Sequence, residues 1–204
     1  DADETREFNL NTKQWVKNGF YRPESKGAMS WKNSNEVYVY SDFGEGSMTS
    51  SGYPRTAKLW QRGTPLAQAK IIYEGGDEDM YIAAYHDDSK GFERDFVSRT
   101  IAFYNDELLL IKPDGKLVKI EAPNSAQKNV HNQYLLLELR EELNVNGNTY
   151  SAGSLLATDF EKYMRGERDF TVLFAPSIST SLAGYSWTQN YLLLNVLDDV
   201  KNKI

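Results

Sequence analysis

"NQYLLLELREE" at 132–142 and "QNYLLLNVLDD" at 189–199 are one phrase written twice, 57 residues apart. Each sets an amide pair and a Tyr before three leucines and closes on two acids. A short apolar run between polar bounds suits a buried strand. The hairpin around it also recurs. Ser30-Trp31 is followed eleven residues after the Trp by Asp42, and Ser186-Trp187 by Asp198 at the same spacing, with "EVYVYSD" and "YLLLNVLD" between. Unit ends repeat as well: "IIYEG" closes at Gly75, "KIEAP" at Pro123 and "LFAP" at Pro176, steps of 48 and 53. Arg62-Gly63 and Arg165-Gly166 lie 103 apart, two periods.

Unit starts therefore fall near Trp31, Tyr81, Val130 and Trp187, with room for about four strands in each period of 49 to 57 residues. That is the mark of a β-propeller, because a lone four-stranded blade cannot bury both faces and must stack on its neighbours. A helical solenoid would need a 3.6-residue pattern, and only Thr158–Met164 offers a helical turn or two. The expectation is an all-β fold: a partial β-propeller of about three complete four-stranded antiparallel blades, with incomplete blades at both ends. The blades are placed roughly at 27–75, 79–123 and 128–176, with a partial one at 180–204. Trp31 and Trp187 are expected to pack between blades.

Composition narrows the function classes. Among 204 residues, 23 are basic and 29 acidic, a net charge of −6, which argues against nucleic acid or an anionic membrane as partner. The longest apolar runs, such as Leu192–Leu194, are far short of the roughly 20 residues of a membrane span. There is no cysteine, so disulfides, thiol catalysis and thiolate metal sites are excluded; this says nothing of compartment. The chain opens "DADETREF" without Met or a signal pattern and stops at "DDVKNKI", which reads as the opening of a strand. Both ends are expected to be cuts through a longer polypeptide.

Several motifs suggest chemistry and lack its partners. Asp42-Phe43-Gly44 spells a kinase magnesium triplet, but no Gly-rich loop or catalytic His precedes it. Gly44-Glu45-Gly46 has Thr49 where a phosphate loop needs glycine. Asp42–Arg55 reads instead as a Gly- and Ser-rich connection between strands. His86 and Asp88 share a strand face, too few ligands for a metal. The carboxylate groups Asp77/Glu78/Asp79, Glu141/Glu142 and Asp198/Asp199 would serve a propeller glycosidase only if two converged, and adjacent acids in turns read as solvated. Ala152-Gly153-Ser154-Leu155-Leu156 lacks the glycines of a nucleophile elbow. Arg55, Glu93, Arg94 and Arg99 could line a channel and bind peptide termini or carbonyls. Buried salt links between blades explain the same residues, and are preferred.

Longer stretches carry a resemblance. "REFNLNTKQWVKNGFYRPESKGAMSW", "VYSDFGEGSMTSSGYPRTAKLWQRGTPL" and "EDMYIAAYHDDSKGFERDFVSR" resemble the propeller of bacterial prolyl oligopeptidase-family serine peptidases. "AGSLLATDFEKYMRG" and "TSLAGYSWTQNYLLLNVLDDVKN" continue the likeness in order, so it covers essentially the whole chain. The resemblance implies a seven-bladed propeller capping an α/β-hydrolase domain that carries Ser, Asp and His. This chain would be an interior piece of that propeller, with no catalytic residue to carry over and no cofactor. Its implied role is gating, with the hydrolase domain of the same parent and short peptides as partners, in cytoplasm or periplasm. A dimer through exposed blade faces is a further expectation. The rival reading is a free-standing propeller that binds a ligand or protein.

Overall fold

The computed structural model describes residues 2–204. The chain divides into two compact units, one ending at Glu121 and one running Ala122–Ile204. The first opens with four short strands, β1 (Asp3–Arg6), β2 (Phe8–Asn9), β3 (Gln14–Trp15) and β4 (Tyr21–Ser25). β1 pairs with β4 and β2 with β3, both antiparallel. Two four-stranded sheets follow: β5 (Ala28–Asn33), β6 (Glu36–Tyr40), β7 (Thr56–Gln61) and β8 (Lys70–Glu74), then β9 (Tyr81–Asp87), β10 (Arg94–Ala102), β11 (Asn105–Ile111) and β12 (Leu117–Lys119). In both, strand order follows chain order and every neighbour is antiparallel, the meander of a propeller blade.

Strand alternation explains why β6 has no polar face. Tyr38 turns toward the second sheet and packs with Ala57, Ile82, Ala84 and Val97. Val37 and Val39 turn the other way, against Phe20, just before β4, and Trp60. The three central residues of "EVYVY" are 2% exposed or less, and burying a valine this way contributes about 1.5–3 kcal/mol. The first sheet is thus a filled layer between two neighbours.

The second unit holds β13 (Gln127–His131), β14 (Tyr134–Glu138), β15 (Leu143–Val145), β16 (Asn148–Tyr150), β17 (Leu155–Asp159), a short helix α1 (Phe160–Met164) and β18 (Thr171–Phe174). Then come β19 (Thr180–Trp187), β20 (Leu192–Asp198) and β21 (Lys201–Lys203). β13, β14, β17 and β18 form one sheet, β19–β21 another, and β15–β16 a separate hairpin. Asn146 and Gly147, both at positive φ, make the tight turn of that hairpin. The Asp159 carboxylate caps α1 by accepting from the Lys162 amide at 2.9 Å, while Phe160 and Tyr163 face inward. The doubled phrase occupies equivalent places: Leu135–Leu137 lie in β14 and Leu192–Leu194 in β20, the second strands of successive sheets. No helix among the described residues is long and apolar enough to cross a membrane.

Two sequence expectations are corrected. Trp31 is not buried between sheets. It is 52% exposed on the edge strand β5, edge-on to Phe20 at 5.7 Å. Asp79 is not a solvated turn acid, being 4% exposed.

Candidate functional site

The connection from β8 to β9 gathers the charged residues singled out above. Arg55, just before β7, pairs with Glu74 at the end of β8, and its carbonyl accepts from the Gly75 amide at 2.7 Å. Arg55 Nε is buried with no hydrogen-bond partner among the described residues. Arg99, on β10, grips Asp79 in two parallel bonds: Nε to Oδ2 and Nη2 to Oδ1, each 2.9 Å. Its Nη1 reaches Glu107 on β11 at 3.1 Å, and Glu107 accepts from Lys119 on β12 at 2.6 Å. The Gly76 amide adds a third donor to Asp79 at 2.7 Å.

Electrostatics follow from this geometry. Burial alone would raise the Asp79 pKa, but the Arg99 bonds and the Gly76 amide outweigh it and hold the carboxyl below its usual range. Lys119 first, with Arg99 after it, does the same for Glu107. Two cations and two carboxylates thus satisfy one another across three strands and a connector. Gly75 is there because a Cβ would meet Ile82 Cδ1 at 2.7 Å and Asp79 Oδ2 at 2.8 Å.

Glu93 and Arg94 lie elsewhere, at the β9–β10 connection. Arg94 opposes Asp87 while Arg99 opposes Ile82, five residues or roughly 16 Å along the strand. Glu93 is exposed and accepts from the Gly91 amide at 3.1 Å; Arg94 donates to the Phe92 carbonyl at 3.2 Å. The structure therefore brings Arg55 and Arg99 to one connector and leaves Glu93 and Arg94 apart from them.

A second tie was not read from the sequence. Lys32 on β5 binds Asp95 Oδ2 on β10 at 2.7 Å and the Tyr38 hydroxyl at 3.1 Å, while His86 Nδ1 meets Asp95 Oδ1 at 2.8 Å. Burial pulls the Lys32 pKa down most, yet Asp95 and Tyr38 together leave it raised. Burial pushes Tyr38 up to about 12. The Asp42-Phe43-Gly44 triplet serves its own loop: Asp42 Oδ1 accepts from the Gly44 amide at 2.8 Å and the Ser47 hydroxyl at 3.3 Å.

In the first unit two consecutive four-stranded antiparallel sheets, packed face to face and tied by the Lys32–Asp95 pair, have the build of neighbouring β-propeller blades. The model of the N-terminal β-propeller domain of prolyl oligopeptidase matches residues 1–204. The chain belongs to that family. It is 29% identical over 213 residues to the uncharacterized peptidase y4nA of Sinorhizobium fredii, spanning 100% of this chain and 29% of that protein. To the uncharacterized peptidase RP174 of Rickettsia prowazekii it is 28% identical over 216 residues, 98% of this chain and 30% of the other. A post-proline cleaving enzyme from Rickettsia typhi superposes with TM-score 0.90 at 26% identity, over 98% of this chain and 32% of that one. A prolyl endopeptidase structure superposes at 0.68 with 14% identity, over 96% and 28%, a likeness of fold. The chain thus spans about three tenths of the length of the curated relatives it matches.

Proposed function

We propose that this chain is the substrate-access segment of a prolyl oligopeptidase-type serine endopeptidase. Its propeller restricts entry to short peptides, and a Ser-Asp-His set on an α/β-hydrolase domain of the same parent cuts them. The observation that carries this reading is the match of all 204 residues to the family's N-terminal propeller, against about three tenths of relatives named as peptidases. A stack of tied sheets selects by steric access, because folded proteins do not fit where a flexible peptide does. The ion pairs at the β8–β9 connector and between Lys32 and Asp95 support the rigidity such a filter requires. Blade limits at 27–75, 79–123, 128–176 and a partial 180–204 belong to this proposal; the sheets β5–β8, β9–β12 and β19–β21 support them, while the third limit leaves Gln127 of β13 outside and holds the β15–β16 hairpin as well.

The test is to read the source gene in frame past the codon for Ile204. The proposal expects further blades, then a G-x-S-x-G nucleophile elbow followed by Asp and His in that order. A stop codon directly after Ile204 would overturn it and favour a free-standing binding module.

A further inference from the structure

In the second unit an open cleft of about 530 Å3 lies between β14, β17 and β18 on one side and the β19–β20 turn on the other. That is ample for a side chain with its flanking peptide units, since ligand pockets commonly span about 300–1,000 Å3. Leu173 and Leu192 supply apolar surface above the buried Leu136. The aromatic wall is Trp187, which lies flat on His131, with centroids 4.1 Å apart and planes at 19°. Its ring is also nearly parallel to Tyr134, at 6.3 Å and 9°. A flat, electron-rich wall of this kind attracts cations.

The rim is acidic. Asp159, Glu167 and Asp169 line the cleft against one lysine, Lys162. Asp159 uses Oδ1 to cap α1, and among the described residues the Glu167 carboxylate has one ion-pair partner, Arg165 at 3.5 Å. Asp169 makes no ion pair among the described residues. Arg168, next to it in sequence, is turned away: it sits over the Tyr163 ring at 3.8 Å and donates to the Tyr163 and Glu167 carbonyls. An anion would meet net negative charge here, and a purely apolar segment would strip water from carboxylates without pairing them.

We propose that this cleft binds the arginine side chain of a peptide, the guanidinium against Glu167 and Asp169 and the stem along Trp187. Guanidinium fits both surfaces, since it pairs with carboxylates through a planar fork and stacks on aromatic faces. The proposal goes beyond the access reading and stands apart from it, because its test reads binding to this chain and no peptide cleavage.

The experiment is calorimetric titration of the 204-residue chain at low salt with acetyl-Leu-Arg-Leu-amide, against acetyl-Leu-Gln-Leu-amide. The arginine peptide is expected to bind at least about tenfold more tightly. The double variant Glu167→Gln with Asp169→Asn should abolish that preference, both positions being exposed so that the fold survives, as circular dichroism would verify. Trp187→Leu should weaken the arginine peptide severalfold. Equal binding of the two peptides, absence of binding up to millimolar concentration, or a preference untouched by the double variant would each overturn the proposal.

Discussion

Arg99 shows how a charged residue in a propeller is committed. It was legible in the sequence as a channel candidate or a salt link, and the structure places its guanidinium on Asp79 and Glu107. Its partners were not legible, because Asp79 belongs to a connector and Glu107 to the next strand, and only register brings them within reach. Removing the arginine leaves Asp79 buried without its cation, so Arg99→Leu is expected to cost about 2–3 kcal/mol in urea unfolding at pH 7. The pH dependence has a definite sign. Asp79 and Glu107 both have lowered folded pKa values, so their contribution is present in full above the ordinary carboxylate pKa of about 4. It is lost as pH falls through the lower folded values. Stability of the native chain should therefore drop on acidification below about pH 4, and the Arg99→Leu curve should be flatter there. An equally steep acid limb in both proteins would count against the tie.

Strands and hairpins were the most legible level, because burial on both faces writes itself as uninterrupted apolar runs. Leu135, Leu136 and Leu137 are each 0% exposed, as burial on both faces of a strand requires. The closing signals at Gly75, Pro123 and Pro176 all fall just after outer strands, at Glu74, Lys119 and Phe174. The repeat could not tell which copy of a residue is covered. Trp187 lies on the neighbouring sheet's His131 and Tyr134, whereas Trp31 meets Phe20 and the Arg62 guanidinium at a half-exposed site. Trp187→Ala should accordingly destabilise by about 2–3 kcal/mol and Trp31→Ala by about 1 kcal/mol or less, compared by urea midpoints. A larger loss at Trp31 would invert this ranking. The β15–β16 hairpin was missed although Asn146-Gly147 announces it, since it interrupts the blade between its second and third strands. The N-terminal strands β1–β4 were foreseen only as an incomplete blade with no strand placed, because they are two to five residues long and mostly exposed.

For the whole molecule, sequence and structure agree on sheets that exist to be stacked. The first unit shows the principle, with Tyr38 and Ala57 of one sheet filling the space against Ile82, Ala84 and Val97 of the next. Family membership then links this architecture to peptidases, and access control follows as its proposed role. The lining of a channel was beyond the sequence, because strand patterns reveal which faces are buried without revealing which edges point to an axis. The most direct measurement uses the full-length parent enzyme. One would compare cleavage of an eight-residue peptide bearing a single internal proline with cleavage of the same eight residues inside an unstructured chain of about 80 residues. Gating predicts that the short peptide is cut and the long one is slower by about 100-fold or more, a barrier difference of about 2.7 kcal/mol. Equal rates per bond would contradict the central claim.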